Sequence, residues 1–266
     1  MFSNFFLIPA LGVRWGKFLW NSRNQHGVHS PFVYALITKC FYDKKVYREY
    51  SVLKSYRKVL LQNKKTIEVT DFGAGSKVFK NNTRAVCQIA KNAGISSKRA
   101  ELLFRIVQYF QPSVVLEIGT SLGLATSALS LGNIKATITT LEGCSESAKI
   151  ANQQFRKFDF KNIDVIVGEF DIYLQNQQQP TNNHQLIYFD GNHSKQATLK
   201  YFERLLPTIT NETVWIFDDI HWSVDMEEAW EIIKNNLQVT VTIDTFQWGF
   251  VFFRNEQEKQ HFVIRI

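Results

Sequence analysis

Three aspartates and two histidines fall in two short clusters, Asp190-Gly191-Asn192-His193 and Asp218-Asp219-Ile220-His221. Each cluster follows an apolar run, so each reads as the polar end of a buried strand. If those strands are neighbours, Asp190, Asp218 and Asp219 converge, and like charges that close need a cation, a proton or a hydrogen-bond donor. A hard divalent ion held by the three carboxylates is one answer, and it would acidify a bound hydroxyl. Capping of the following helices by the same side chains is the other. His193 and His221 follow the acids closely, and either could take a proton from a hydroxyl or amine. The candidate catalytic set is therefore Asp190, His193, Asp218 and His221, and the candidate metal set is Asp190, Asp218 and Asp219.

A second constellation precedes this one. In Val114-Val115-Leu116-Glu117-Ile118-Gly119-Thr120-Ser121-Leu122-Gly123 an apolar run breaks into small residues and then resumes at helical spacing. Glycines at 119 and 123 allow close backbone approach to a ligand, and the helix start aims free N–H groups at the same space. The run Ala136-Thr137-Ile138-Thr139-Thr140-Leu141 ends in Glu142, a carboxylate able to accept both hydroxyls of a ribose. The turn lacks the third glycine of the dinucleotide fingerprint and carries Glu117, which would repel a pyrophosphate. A cofactor with a cationic amino-acid end suits that carboxylate, which points to S-adenosylmethionine (SAM) rather than NAD. At a third strand end, Glu169 is placed to accept from an adenine amino group and Phe170 to stack on the ring.

These ends need a scaffold that gathers them. Strands read at 113–118, 136–142, 163–167, 185–190, 213–218, 239–245 and 249–254, with helices at 122–131, 145–157, 194–205 and 224–236. Such alternation predicts an α/β fold, a Rossmann-like doubly wound sheet of seven strands covered by helices on both faces. The connection around Gly249 is too short for a crossover, so the last strand is expected to be antiparallel. Residues 1–93 read as a mainly helical N-terminal lid or substrate segment and residues 94–266 as the cofactor-binding domain. Ser30 and Pro31 open a helix with Val33, Leu36, Ile37, Cys40 and Phe41 on its apolar face. Thr66-Ile67-Glu68-Val69-Thr70 alternates like a strand and runs into Asp71-Phe72-Gly73-Ala74-Gly75-Ser76, a loop that imitates a cofactor turn but lacks an acid-ended strand after it. Residues Gln175 to Asn183 form a polar loop.

Composition narrows the remaining classes. Cys40, Cys87 and Cys144 are odd in number and widely spaced, which suits reduced thiols in a cytoplasmic protein. Residues 1–20 are aromatic and apolar but have neither a basic start nor the length to span a bilayer. Phe5, Phe6, Leu7 and Ile8 read as a core-capping segment before an interfacial anchor. The net charge of +7 is uneven: residues 1–110 hold 19 Lys/Arg against 5 Asp/Glu, and residues 111–266 hold 12 against 19. A basic front suits an anionic partner, nucleic acid included, although no nucleic-acid-binding motif accompanies it.

Taken together, Leu116 to Gly123, Thr140-Leu141-Glu142-Gly143, Phe189-Asp190-Gly191-Asn192-His193 and Phe217-Asp218-Asp219 resemble the class I SAM-dependent methyltransferases, in their small-molecule O-methyltransferase-like branch. The resemblance covers about Gly94 to Arg254 and includes the Ser96-Ser97 cap. It implies a cofactor site formed by Ser96, Glu117, Gly119, Thr120, Ser121, Gly123, Glu142, Gly143, Glu169, Phe170 and Asp190. It also implies methyl transfer to an oxygen of a small-molecule acceptor. The metal-dependent catechol-type members resemble this chain at Asp190 and Asp218. They usually carry Asn at the position of Asp219, and a lysine in the run that here reads Asp190-Gly191-Asn192-His193. Leu206-Pro207-Thr208-Ile209 stands where the family often has a Pro-Gly-Gly turn. The alternatives are methylation of RNA or of a ribosome-associated target through the basic front, or a SAM-binding module without catalysis. Oligomeric state has no signature in the sequence.

Overall fold

The computed structural model describes residues 9–70, 81–175 and 183–266. The apolar residues 5–8, the loop at 71–76 and residues 176–182 of the polar loop lie outside the described residues.

The front of the chain is built from α1 (Pro9–Asn21), α2 (Pro31–Leu36), α3 (Glu49–Gln62) and α4 (Val86–Asn92), with a two-stranded antiparallel ribbon, β1 (Thr66–Glu68) and β2 (Thr83–Ala85), before α4. The Ser30 hydroxyl accepts from the Val33 N–H at 3.3 Å, and Pro31 occupies the first turn. This is the expected cap. Helix α2 widens into a π turn at Ile37–Phe41, and all five residues of the expected apolar face are buried.

Helix α5 (Ser97–Phe110) leads into the main sheet. Its strands are β3 (Val114–Ile118), β4 (Thr137–Glu142), β5 (Ile163–Val167), β6 (Leu186–Phe189), β7 (Val214–Asp218), β8 (Val241–Asp244), β9 (Trp248–Phe252) and β10 (Gln260–Val263). The connecting helices are α6 (Leu124–Gly132), α7 (Ser145–Lys157), α8 (Phe170–Gln175), α9 (Lys195–Leu205) and α10 (Val224–Asn235). The sheet order is β10-β8-β9-β7-β6-β3-β4-β5. Seven strands lie close to their expected bounds, and β9 runs antiparallel to both β7 and β8. The sheet has eight strands rather than seven, because β10 adds a parallel edge strand beside β8. Its sequence hides it: Gln260 and His261 are exposed, and Phe262 and Val263 only half-buried, so no alternating apolar signal marks it.

Period-two alternation assigns each sheet residue to one of two helical layers. Val115, Ile138, Tyr188 and Ile216 pack with α3, α5 and α6, in an apolar cluster that also takes in α2 and α4. Leu116, Ile118, Leu141, Phe189 and Phe217 pack with α9 and α10 on the other face. The order of strands reverses around β3, which pairs with β4 on one side and β6 on the other. Ligand sites of open α/β sheets form at the carboxyl ends of strands flanking such a switch point.

Candidate active site

At the end of β3 the chain turns sharply. Gly119 has φ +107°, and a Cβ there would lie 2.3 Å from the Asp190 carbonyl oxygen, so only glycine fits between β3 and the end of β6. Ser121 is also left-handed (φ 49°), and Gly123 at φ +77° leaves no room for a Cβ against Phe155 and Tyr56. The Tyr56 hydroxyl donates to the Leu122 carbonyl at 2.9 Å, which ties α3 of the front segment to the turn. Asn192 (φ 52°) and Asp219 (φ 53°) repeat the left-handed conformation just past β6 and β7. Such non-glycine conformations cluster where the surroundings hold the backbone for a purpose.

The turn borders a cavity of ≈ 370 Å³. Gly119, Ser121, Glu142, Gly143, Glu169, Phe170 and Asp190, seven of the expected cofactor residues, line it. Val69, Thr70, Arg84, Ile89 and Ala93, from the front of the chain, complete the lining. Glu142 anchors the site. One oxygen accepts from the Ser121 N–H at 2.6 Å and the other from the Cys144 N–H at 2.8 Å. Burial raises its pKa despite these bonds. A carboxylate has about four lone-pair sites, so these bonds leave Glu142 capacity to accept from a ligand hydroxyl.

Four expected cofactor residues lie elsewhere. Thr120 is buried, its hydroxyl 2.6 Å from that of Thr140 and facing a smaller pocket of ≈ 20 Å³ beside residues 89–95. Gly123 serves the helix start. The Ser96 hydroxyl accepts from the Arg99 N–H at 3.3 Å, capping α5, and does not line either pocket. Glu117 lies within β3 and points into the helical layer. Its Oε2 accepts from the Thr126 and Thr140 hydroxyls, and its Oε1 has no partner among the described residues. Burial pushes the carboxyl up to about 8, which fits an unpaired oxygen that carries a proton. The sequence reading put Glu117 at the cofactor because it precedes the glycine turn; strand alternation turns it away.

Beyond Asp190, which lines the cavity, lies a charged cluster. Asp190, at the end of β6, leads to a cluster with Asp218, Asp219 and His193, the convergence expected from the sequence. The cluster also contains a residue that the sequence reading missed, Arg99. Its guanidinium is bonded to Asp218 Oδ1, lies 4.8 Å from the Trp248 ring centroid, and is largely buried. The Tyr188 hydroxyl donates to Asp218 Oδ2 at 2.9 Å, and the Asp219 N–H donates to Asp218 Oδ1 at 2.7 Å. A basic residue in the third position of a capped helix just before β3 was the available signal.

This arrangement separates the three acids. Burial opposes ionisation of Asp218, but the charges of Arg99 and His193 and the donated hydrogen bonds outweigh it, and its pKa is lowered. Asp190 has burial and the Asp218 charge against it and is raised well above the ordinary range. Asp219 is raised to about 6 by burial and by Asp218. The cluster thus holds one firm carboxylate, Asp218, and two acids, Asp190 and Asp219, that keep a proton more readily than a free carboxyl. His193 Nε2 lies 3.7 Å from Asp190 Oδ1, within electrostatic reach but beyond a hydrogen bond.

His221 does not join this cluster. Its Nδ1 lies 2.9 Å from Glu227 and its Nε2 2.8 Å from Asp244, with the ring stacked on Phe246. Burial disfavours the imidazolium, yet the bonds and charges of Asp244 and Glu227 raise its pKa. With both nitrogens committed to carboxylates it ties α10 to β8 rather than serving as the base expected from its position after Asp219.

The metal set does not fit the geometry either. Among the described residues no group of three or more His, Cys, Asp or Glu is arranged to hold a metal ion. The place beside Asp218 is filled by the Arg99 guanidinium, the cation that makes the carboxylate tolerable.

Residues 116–220 match the family model described as a methyltransferase domain. The sequence matches no curated protein. Solved structures share the fold. The SAH-bound methyltransferase PaMTH1 of Podospora anserina superposes with a TM-score of 0.58 at 12% identity, covering 94% of this chain and 97% of its own. A Bacillus cereus O-methyltransferase in complex with SAH gives a TM-score of 0.54 at 18% identity, covering 82% and 94%. TomG from Streptomyces achromogenes, an O-methyltransferase in complex with SAM, gives 0.55 at 13% identity, covering 79% and 92%.

Proposed function

We propose that this chain, a class I SAM-dependent methyltransferase by its domain and its fold, transfers a methyl group to an oxygen of a small-molecule acceptor. The observation that carries this reading is the cavity of ≈ 370 Å³ lined by Gly119, Ser121, Glu142, Glu169, Phe170 and Asp190. The residues present suit the cofactor: a glycine where a Cβ would collide, a carboxylate at the second strand end, and Phe170 on the wall. The cofactor supplies an electrophilic methyl on a sulfonium centre. Gly119, Ser121 and Gly143 would lie along it, Glu142 would accept its ribose hydroxyls, and Glu169 with Phe170 would flank its adenine.

The chain's own contribution to chemistry is position and proton handling. Asp190 bridges the cofactor cavity and the charged cluster, so an acceptor hydroxyl bound there meets Asp219 and His193 as proton acceptors. As the acceptor oxygen bonds to the methyl its proton would pass to one of these groups, so no net charge would stay on that oxygen, while Arg99 keeps the neighbouring Asp218 ionised. Alignment of acceptor and cofactor supplies the greater part of the acceleration in such an in-line displacement.

A small acceptor is favoured over RNA by how the basic front is used. Arg57 donates to the Ile95 and Ala90 carbonyls, Arg105 to Cys40, Phe41 and Tyr50, Arg14 to Glu227, and Arg99 to Asp218. These four arginines are spent on contacts within the molecule, which removes them from any phosphate-binding surface. No helix of the described residues is long and apolar enough to cross a membrane. The three cysteines are unpaired, which suits the reducing cytoplasm. The reading is tested by incubating the protein with methyl-labelled SAM and, separately, a panel of phenols and hydroxy acids and total RNA. Label in a small phenol or hydroxy acid supports it; label confined to RNA, or in neither, overturns it.

A further inference from the structure

We infer that Arg99 is the resident cation of the charged cluster, occupying the place of a divalent ion, so that this enzyme holds its acid cluster together without metal. The inference rests on the proposed methyl transfer for its use, but its geometry stands apart from it.

Asp218 is almost fully buried at 3% exposure, and both of its oxygens are already served. Oδ1 takes the Arg99 guanidinium and the Asp219 N–H, and Oδ2 takes the Tyr188 hydroxyl. A magnesium or calcium ion needs six or more oxygen ligands at roughly 2.0–2.6 Å. Within the cluster that shell would have to include Asp218, and the ion would then sit against a guanidinium that cannot lose its proton. Two cations there repel each other; one must leave.

Arg99 is held on three sides. The Ser96 cap fixes the first turn of α5, the Trp248 ring faces the guanidinium at 4.8 Å, and Asp218 binds its end. The charges of Asp219 and Asp190 act on the same group. A planar fork bonded to carboxylate and lying over an aromatic ring is arginine-specific chemistry. Arg99 is thus a positioning residue: it acts on an acceptor through Asp218 and its neighbours.

Titration with manganese chloride, followed by the loss of the free-ion paramagnetic resonance signal, tests this directly without any acceptor. The wild type is expected to bind no stoichiometric Mn²⁺, and its affinity for S-adenosylhomocysteine is expected to be the same with and without EDTA. Arg99→Ala exposes three neighbouring acids and is expected to take up Mn²⁺ at least about tenfold more tightly than the wild type, an uptake lost again in the Arg99→Ala/Asp218→Asn double variant. Arg99→Lys loses the planar fork but keeps a cation, and it should, like the wild type, take up no stoichiometric Mn²⁺. Stoichiometric Mn²⁺ binding by the wild type that Asp218→Asn abolishes would overturn the inference, and that measurement needs no destabilised variant. So would a folded Arg99→Ala that gains no Mn²⁺. Failure of S-adenosylhomocysteine to bind at all would instead count against the proposed function, leaving the manganese result to be judged by itself.

Discussion

The cavity and the charged cluster behind Asp190 are built from different materials. The cavity is made of backbone: Gly119 against the Asp190 carbonyl, left-handed Ser121, and the Ser121 and Cys144 N–H groups on Glu142. The cluster is made of polar and charged side chains from separate elements, Arg99 on α5, Tyr188 on β6, Asp218 at the end of β7 and Asp219 just after it. A backbone site is fixed by local conformation, whereas a charged cluster exists only once distant elements have packed. The first is expected to fail through sterics and the second through an uncompensated charge.

The sharpest way to break the comparison is to remove a charge from the cluster. Asp218→Ala leaves Arg99 buried without its carboxylate, at an expected cost of about 3–5 kcal/mol in unfolding free energy, read as a lower urea midpoint. A loss under about 1 kcal/mol would mean that the cluster is not coupled to the fold as described. Gly119→Ala attacks the cavity. Its Cβ has no space at 2.3 Å from the Asp190 carbonyl, so affinity for S-adenosylhomocysteine should fall by about 100-fold or more, or about 2.7 kcal/mol, measured by calorimetry.

Glu117 tests the layer beneath both. Its folded pKa of about 8 against an ordinary 4.5 means that the folded chain keeps a proton which the unfolded chain releases. Stability from this group is therefore complete below about pH 4.5 and is lost as pH rises through about 8, by a few kcal/mol at most. Glu117→Gln should flatten the melting temperature over that range; an unchanged slope would contradict the assignment. The smallest effect is expected at His221, whose two carboxylate partners lie away from the cavity. His221→Gln should cost about 1–2 kcal/mol of stability and leave S-adenosylhomocysteine affinity within about twofold. A larger affinity loss would return it to the site.

The same contrast explains what the sequence made legible. The strand–turn–helix at Glu117 to Gly123, the acid at Glu142 and the reversed β9 are short-range patterns, and each formed close to where the sequence put it. Period-two alternation also carried the information that Glu117 points into the helical layer, but the glycine motif drew attention to the wrong neighbour. Arg99 was hidden because its one local signal, a basic residue in the first turn of a capped helix, does not say that this turn meets the end of β7. His221 was misassigned because adjacency to Asp219 along the chain says nothing of Glu227 and Asp244. Strand β10 escaped because a half-exposed edge strand lacks a continuous apolar pattern.

The central claim is that the Gly119–Glu142 cavity binds the methyl-donor cofactor. Calorimetric titration of S-adenosylhomocysteine into the wild type and into Glu142→Ala tests it most directly. The account predicts one site per chain in the wild type, weakened by about 10- to 100-fold in the variant, or about 1.4–2.7 kcal/mol. No binding by the wild type, or equal binding by both proteins, would contradict it.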